Sequence, residues 1–317
     1  MTGVAGPGVI VERQVWMDAV VSVRVEALRA VGGERTAAVA EVFSWFAAVE
    51  RACSRFDPLS ELSRICRDGD GIAGPVLAAA LGFAVELASL TGGAFDPMVG
   101  SQLVRRGFDR HWRDGAKALD ALPGAAGADD GGAAVGYDTE ACRLRVAAGA
   151  VVDLGAVAKG LALDLGAQAL GRLGGERFLV EAGGDLISGS IEGAGLWRVG
   201  VADPFRPGGL VATIEVRDGA VCTSGGYVRR RGGVDHLVRS APLDCCPAGV
   251  TVLAPSAMAA DGLATAAMVL AVEEAVDLLG CCEVDAIVVD ASGGLRLVGD
   301  VADRLDVVSR SGSGVAG

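Results

Sequence analysis

No apolar run in this chain continues far enough to build a membrane span, because glycine and charged residues interrupt every candidate, Val252 to Leu279 included. A span needs about 18 unbroken apolar residues. With 48 glycines in 317 residues, the chain is cut into short pieces that bury their apolar sides only by packing in layers. The pieces are of two kinds. Val15 to Ala27 alternates as a strand, and Thr36 to Cys53 has helical periodicity through Val39, Val42, Phe43, Phe46 and Val49. Pro75 to Leu90 predicts a second helix closed by Thr91-Gly92-Gly93, and Val99 to Trp112 a third.

Gly124 to Gly132, nearly all Ala, Gly and Asp, predicts a surface loop. Beyond it, Arg143 to Val152 reads as a strand and Val157 to Leu173 as an amphipathic helix. Short β-rich runs follow at Phe178 to Ala182, Trp197 to Ala202, Leu210 to Val216 and Val250 to Leu253. Ser256 is placed to cap one long helix from Ala257 to about Leu279, and Asp285 to Asp290 gives a last strand. Helices mixed with consecutive strands exclude a purely βαβ plan, so the expected fold class is a layered α+β fold with mixed or antiparallel sheets packed by helices. One domain over residues 1–308 is expected, followed by a disordered tail at residues 309–317.

Charge and cysteine usage remove several function classes. The 28 basic side chains stand against 40 acidic ones for a net charge of −12, which argues against a protein built to hold nucleic-acid phosphates. The first thirteen residues lack a basic, apolar and small-residue sequence of regions, so a cytoplasmic location is expected. Eight cysteines include two adjacent pairs and no CxxC, which reads as reduced structural thiols. Of two GxGxxG matches, Gly69 to Gly74 follows a polar segment instead of a buried strand and Gly312 to Gly317 has no helix after it, so neither suits a dinucleotide site.

Three segments carry more chemistry. Val151 to Gly160 runs from a strand through a glycine-containing turn into a helix whose unpaired amides favour an anion, with Lys159 in the first turn. Alternatively, Asp153 only caps the turn and Lys159 is solvated. Asp261 and Thr265 stand at i and i+4, giving a carboxylate and a hydroxyl on one side of a helix, a hard-oxygen pair suited to magnesium or simply the polarity of a partly exposed helix start. Gly183-Gly184-Asp185 equally suits a hairpin turn.

Six ordered segments together resemble one family. Ser54 to Arg64 is similar to the S-R-Y/F-x-P-x-S-E-L-S-R stretch of the ApbE family, Thr91 to Val99 to its T-G-G-A-F-D-P-x-V, and Asp153 to Asp164 to its D-L-G-x-x-A-K-G-x-x-x-D. Glu181 to Asp185 resembles the A-G-G-D segment, Thr223 to Tyr227 the T-S-G-x-Y segment, and Ala260 to Ala266 the A-D-A/G-L-A-T-A segment. The resemblance implies an ApbE-like (T-fold-like) fold and a flavin transferase that moves FMN from FAD to a threonine or serine of an acceptor flavoprotein, at a Ser/Thr-Gly-Ala-Thr-like stretch. It implies Mg²⁺ held by Asp261, Thr265 and the Ala156 carbonyl, with FAD surrounded by Met17, Phe56, Ala94, Phe95, Asp96, Asp153 and Lys159. Lys159, His236 and Asp261 are the expected catalytic residues. Two departures stand out. Met17-Asp18-Ala19 puts a carboxylate where the family's M-G-T has glycine, and Leu237 to Asp244 lacks the Asp-Pro and Thr-Gly that follow the family's histidine. A non-catalytic or hydrolytic FAD-binding protein on the same scaffold is the competing expectation.

Overall fold

The computed structural model describes residues 9–29, 33–110, 136–226, 230–231, 234–235, 237–239 and 242–307. The chain begins with β1 (Ile10–Trp16), β2 (Ala19–Leu28), α1 (Gly33–Cys53), α2 (Glu61–Asp68), β3 (Asp70–Ile72), α3 (Pro75–Leu90) and α4 (Gly100–Arg105). It continues through β4 (Gly136–Asp138), β5 (Arg143–Arg145), α5 (Ala158–Arg172), β6 (Gly175–Ala182), β7 (Asp185–Ser190), β8 (Trp197–Ala202) and β9 (Leu210–Val216). The last part holds β10 (Gly219–Gly225), β11 (Arg230–Arg231), β12 (Val234–Asp235), β13 (Gly249–Ala254), α6 (Ala257–Met268), α7 (Val272–Cys281), β14 (Asp285–Val289), β15 (Leu295–Val298) and β16 (Leu305–Val307).

Eight strands form the main sheet in the order β1-β2-β6-β7-β10-β13-β14-β15, and every pairing in it is antiparallel. Its helical face packs Val21, Val23 and Val25 of β2, Cys222 of β10 and Val250 and Val252 of β13 against α1, α5 and α6 in one large apolar cluster. Leu186, Val221, Leu253 and Ile287 point to the other face, where β8, β9 and β16 form a second antiparallel sheet and close a smaller cluster with Val201, Ile214 and Val301. The expected layered α+β architecture is what the chain adopts.

The differences from the sequence reading have local causes. Val15 to Ala27 is not one strand. Trp16 pairs with Ala19 across a two-residue turn in which Met17 and Asp18 have φ of 51° and 63°. This is the hairpin turn whose twist matches its strands, and aspartate tolerates the left-handed region better than most residues. The helix expected from Ala257 to Leu279 stops at Met268, because Ala271 is extended and its N–H donates to the Glu274 carboxylate at 3.1 Å. Val272 N–H then donates to the Cys245 carbonyl at 2.9 Å, so a distant loop accepts from the restarted helix's first turn. Arg143 to Val152 is a strand only to Arg145, and the third expected helix ends at Arg105.

The first GxGxxG match runs into the expected second helix, since Gly74 is the N-cap of α3. Its amide is already taken by the Glu61 carboxylate. Strands β7 and β10, which the sequence reading did not anticipate, fill the centre of the sheet. The predicted loop at Gly124 to Gly132 and the tail at residues 309–317 lie outside the described residues. All eight cysteines are free, and among the described residues no helix is long and apolar enough to cross a membrane.

Candidate functional site

Antiparallel pairing gathers the glycine turns at one end of the main sheet. Gly183 and Gly184, at φ of 62° and 99°, close the β6–β7 hairpin, and Ala182 pairs with Asp185 across them. The same end receives the Met17-Asp18 turn, because Val21 pairs with Ala182, and the end of β10, because Val221 pairs with Leu186. The Gly-Gly-Asp segment is therefore a hairpin turn, and it also delivers Asp185 into the interior, where the residue is 3% exposed. Thr223 N–H donates to Asp185 Oδ1 at 2.8 Å and fixes the carboxylate.

Helices α5 and α6 bring the rest. Gly160 lets them touch: a Cβ there would collide with the Ala257 carbonyl oxygen and sit 2.5 Å from Met258 Cα. Asp164, one turn further, accepts from Ser256 Oγ at 2.7 Å and from the Ala257 and Met258 amides at 2.6 and 3.0 Å, so a side chain of α5 caps the start of α6. Burial outweighs these donors and raises the Asp164 carboxyl above its usual range.

Locked in this way, the two helices set Lys159 beside Asp261. The ammonium pairs with Asp185 and lies 3.1 Å from Asp261 Oδ2. Asp261 is buried, not the partly exposed helix-start residue the sequence suggested. Thr265, one turn along α6, shares a 3.0 Å hydrogen bond with Ser224 Oγ, while Thr223 and Thr251 hydroxyls meet at 2.9 Å. Neither sequence reading of Lys159 anticipated a lysine held between two buried carboxylates. Beneath it lies Cys222, whose thiol is raised well above its ordinary range by burial and then by the Asp261 charge, so it is inert.

A second group flanks the turn into α5. Ser54 Oγ accepts from the Phe56 and Asp57 amides, each at 3.2 Å, and Asp57 Oδ1 accepts from Leu59 N–H at 2.8 Å, while Ser60 caps α2 through Ser63 N–H at 3.0 Å. This self-bonded loop turns Arg55 inward. There its guanidinium, 7% exposed, pairs with Asp153, donates to the Phe108 carbonyl at 2.9 Å and lies 4.0 Å from the centre of the Phe56 ring. Asp153 Oδ1 also accepts from Gly155 N–H at 2.7 Å, so it does cap the turn, and its own amide donates to the Pro97 carbonyl at 2.8 Å.

That last bond docks the Thr91-to-Pro97 segment. Gly92 and Gly93 reverse the chain at positive φ, Thr91 Oγ1 accepts from Phe95 N–H at 3.0 Å, and Asp96 Oδ1 accepts from Met98 N–H at 2.8 Å. Of the sequence-derived positions, Phe56, Phe95, Asp96 and Asp153 thus belong to one connected loop group. Lys159, Asp261 and Thr265 belong to the other, and Met17 sits on a turn at the same sheet end. Ala94 and Ala156 lie half-buried in the connecting turns. His236 lies outside the described residues, whereas Leu237 after it is buried and its carbonyl accepts from Arg106 Nη1 at 2.7 Å. Arg55, Asp185 and Ser224 were not among the positions the sequence singled out, although each lies inside a quoted segment.

The inner cluster suits a hard cation. Two carboxylates face one ammonium, and the hydroxyl of Thr265, one turn from Asp261 on α6, is an oxygen donor of the type magnesium takes. Among the described residues no three His, Cys, Asp or Glu side chains converge.

Comparison with known proteins agrees with the six segments. A model described as "ApbE family" matches residues 17–303. A Treponema pallidum protein named FAD:protein FMN transferase is 32% identical over 252 residues, 71% of this chain and 68% of that protein. One of the same name from Klebsiella pneumoniae is 34% identical over 133 residues, covering 39% of this chain and 38% of its own length. Among solved structures, the flavin transferase ApbE of Vibrio cholerae superposes with a TM-score of 0.76 at 23% identity over 94% of this chain and 99% of its own. An ApbE protein of Thermotoga maritima gives 0.76 at 26% identity over 92% and 97%.

Proposed function

The chain belongs to the ApbE family, and from that membership we propose that it is a Mg²⁺-dependent FAD:protein FMN transferase. The observation that carries the reading is the Lys159–Asp185–Asp261 cluster, its two carboxylates buried, with Thr265 beside it, which offers a cation site and a fixed positive charge at the start of α5. Residues 1–308 act as one catalytic domain, and the acceptor is a flavoprotein segment of the Ser/Thr-Gly-Ala-Thr kind.

In the proposed reaction the acceptor hydroxyl oxygen bonds to the FMN-side phosphorus of FAD, the bond to the AMP oxygen breaks, and AMP leaves with the electron pair. His236, the catalytic histidine the family resemblance implies, takes the hydroxyl proton. Asp261, Thr265 and the Ala156 carbonyl would hold Mg²⁺, which when bound would neutralise the pyrophosphate charge. Lys159 adds positive charge on the same side. Phe56, stacked on Arg55, offers its remaining face to the flavin ring, and Met17, Ala94, Phe95, Asp96 and Asp153 shape the walls around FAD.

Mass spectrometry of an acceptor peptide incubated with the protein, FAD and Mg²⁺ tests this. A gain matching FMN supports the transferase. FMN and AMP in solution with an unmodified peptide favour the hydrolytic alternative, which the altered loop after His236 keeps in play, and recovery of intact FAD and peptide overturns catalysis.

A further inference from the structure

Lys159 has two carboxylate partners, and they are not equivalent. Asp261 belongs to the hard-oxygen set on α6, where it stands one helical turn from Thr265. Asp185 belongs to the sheet. It is the first residue of β7, rigidly registered by its pairing with Ala182, and its other oxygen is occupied by the Thr223 amide. An ammonium beside a carboxylate occupies space and charge that a divalent cation would need on the same oxygen. A cation arriving at Asp261 therefore competes with Lys159, unless something else holds the lysine.

We propose that Asp185 is a positioning residue that keeps the Lys159 ammonium inside the site while Asp261 is given over to the cation. With Asp185 present, Lys159 loses one of two partners on cation binding and stays paired. Without it, the half-buried ammonium has only Asp261 among the described residues, and leaving that partner would strand a partly desolvated charge, which is unfavourable. The charge balance points the same way. Two carboxylates and one ammonium leave one negative charge for the cation, whereas loss of Asp185 leaves a neutral pair. The Gly183-Gly184 turn matters because it starts β7 at Asp185, at the sheet end that α5 and α6 approach. This inference rests on Asp261 being a cation ligand, as proposed above.

Mn²⁺ binding followed by electron paramagnetic resonance, on the full chain without FAD, provides a readout independent of turnover. Asp185→Asn keeps the side-chain shape and an acceptor for Thr223, and we expect it to weaken Mn²⁺ binding by about tenfold or more. The double variant Asp185→Asn with Lys159→Met restores the parent's net charge, so its Mn²⁺ affinity returns to within about threefold of the parent. A purely structural role for Asp185 would leave the double variant at least as impaired as the single one. Thermal melts by circular dichroism establish that each variant is folded, and the charge-balanced double variant remains informative should the single one be unstable. Parent-like Mn²⁺ affinity in Asp185→Asn, or no recovery in the double variant, overturns the proposal. Asp261→Asn separates it from the cation reading itself: if Asp261→Asn binds Mn²⁺ as the parent does, the cation site is wrong, whereas its loss of binding beside an unaffected Asp185→Asn sinks only the role of Asp185.

Discussion

Asp153 and Arg55 show how much one side chain's burial decides. Arg55 is 7% exposed and its guanidinium pairs with Asp153, so Asp153→Ala leaves a buried arginine without that carboxylate. A loss of about 3 kcal/mol is expected, read from the urea midpoint. Asp261→Asn is expected to behave differently: Lys159 keeps Asp185, so the melting temperature changes little. FMN transfer at fixed Mg²⁺ should fall by about 100-fold or more, since the charge proposed to hold the cation is gone. Transfer at the parent's rate would exclude Asp261 as a ligand.

Two helix contacts carry the site at the scale of elements. Gly160→Val cannot be absorbed where α5 meets the Ala257 backbone, and a destabilisation of about 2–4 kcal/mol is expected from overpacking. Differential scanning calorimetry checks it, and near-normal stability would mean the helices can separate at little cost. Asp164 makes the other contact testable by pH. Its carboxyl is raised above the unfolded value, so the folded state binds that proton more tightly. Its contribution is complete below the unfolded pKa and is lost as pH rises through the folded one. Asp164→Asn should remove this fall, leaving a flatter stability profile through the weakly acidic range than the parent's. Parallel profiles for the two proteins would refute the assignment.

For the molecule as a whole, the site joins the end of an eight-stranded sheet to two helices and to the loops around Asp153, so a ligand that spans them stabilises the entire fold by mass action. FAD with Mg²⁺ is expected to raise the melting temperature clearly, and FMN at equal concentration only slightly, because FMN lacks the pyrophosphate proposed to bridge the two groups of residues. Equal shifts with FAD and FMN would count against a site that reads both halves of the dinucleotide.

Much of this was legible in the sequence wherever the physics is local. Periodicity placed α1 and α3 because their apolar residues recur at helical spacing, and the Thr91-Gly92-Gly93 reversal was marked by residues that alone adopt positive φ cheaply. The six quoted segments identified the family because each packs chain reversals and polar side chains into a few adjacent positions. What the sequence alone left undecided depends on partners far apart in the chain. The break between α6 and α7 has no glycine or proline, and it rests on Glu274 and on the distant carbonyl of Cys245. The central strands β7 and β10 carry serine and glycine, so pattern did not reveal them, and only their neighbours make them strands. Lys159 reads as a solvated or anion-facing residue until the contact of Gly160 with α6 and the hairpin at Gly183-Gly184 close two carboxylates around it. Charge placement in a buried site is set by which elements meet, and that is decided by packing across the whole sheet.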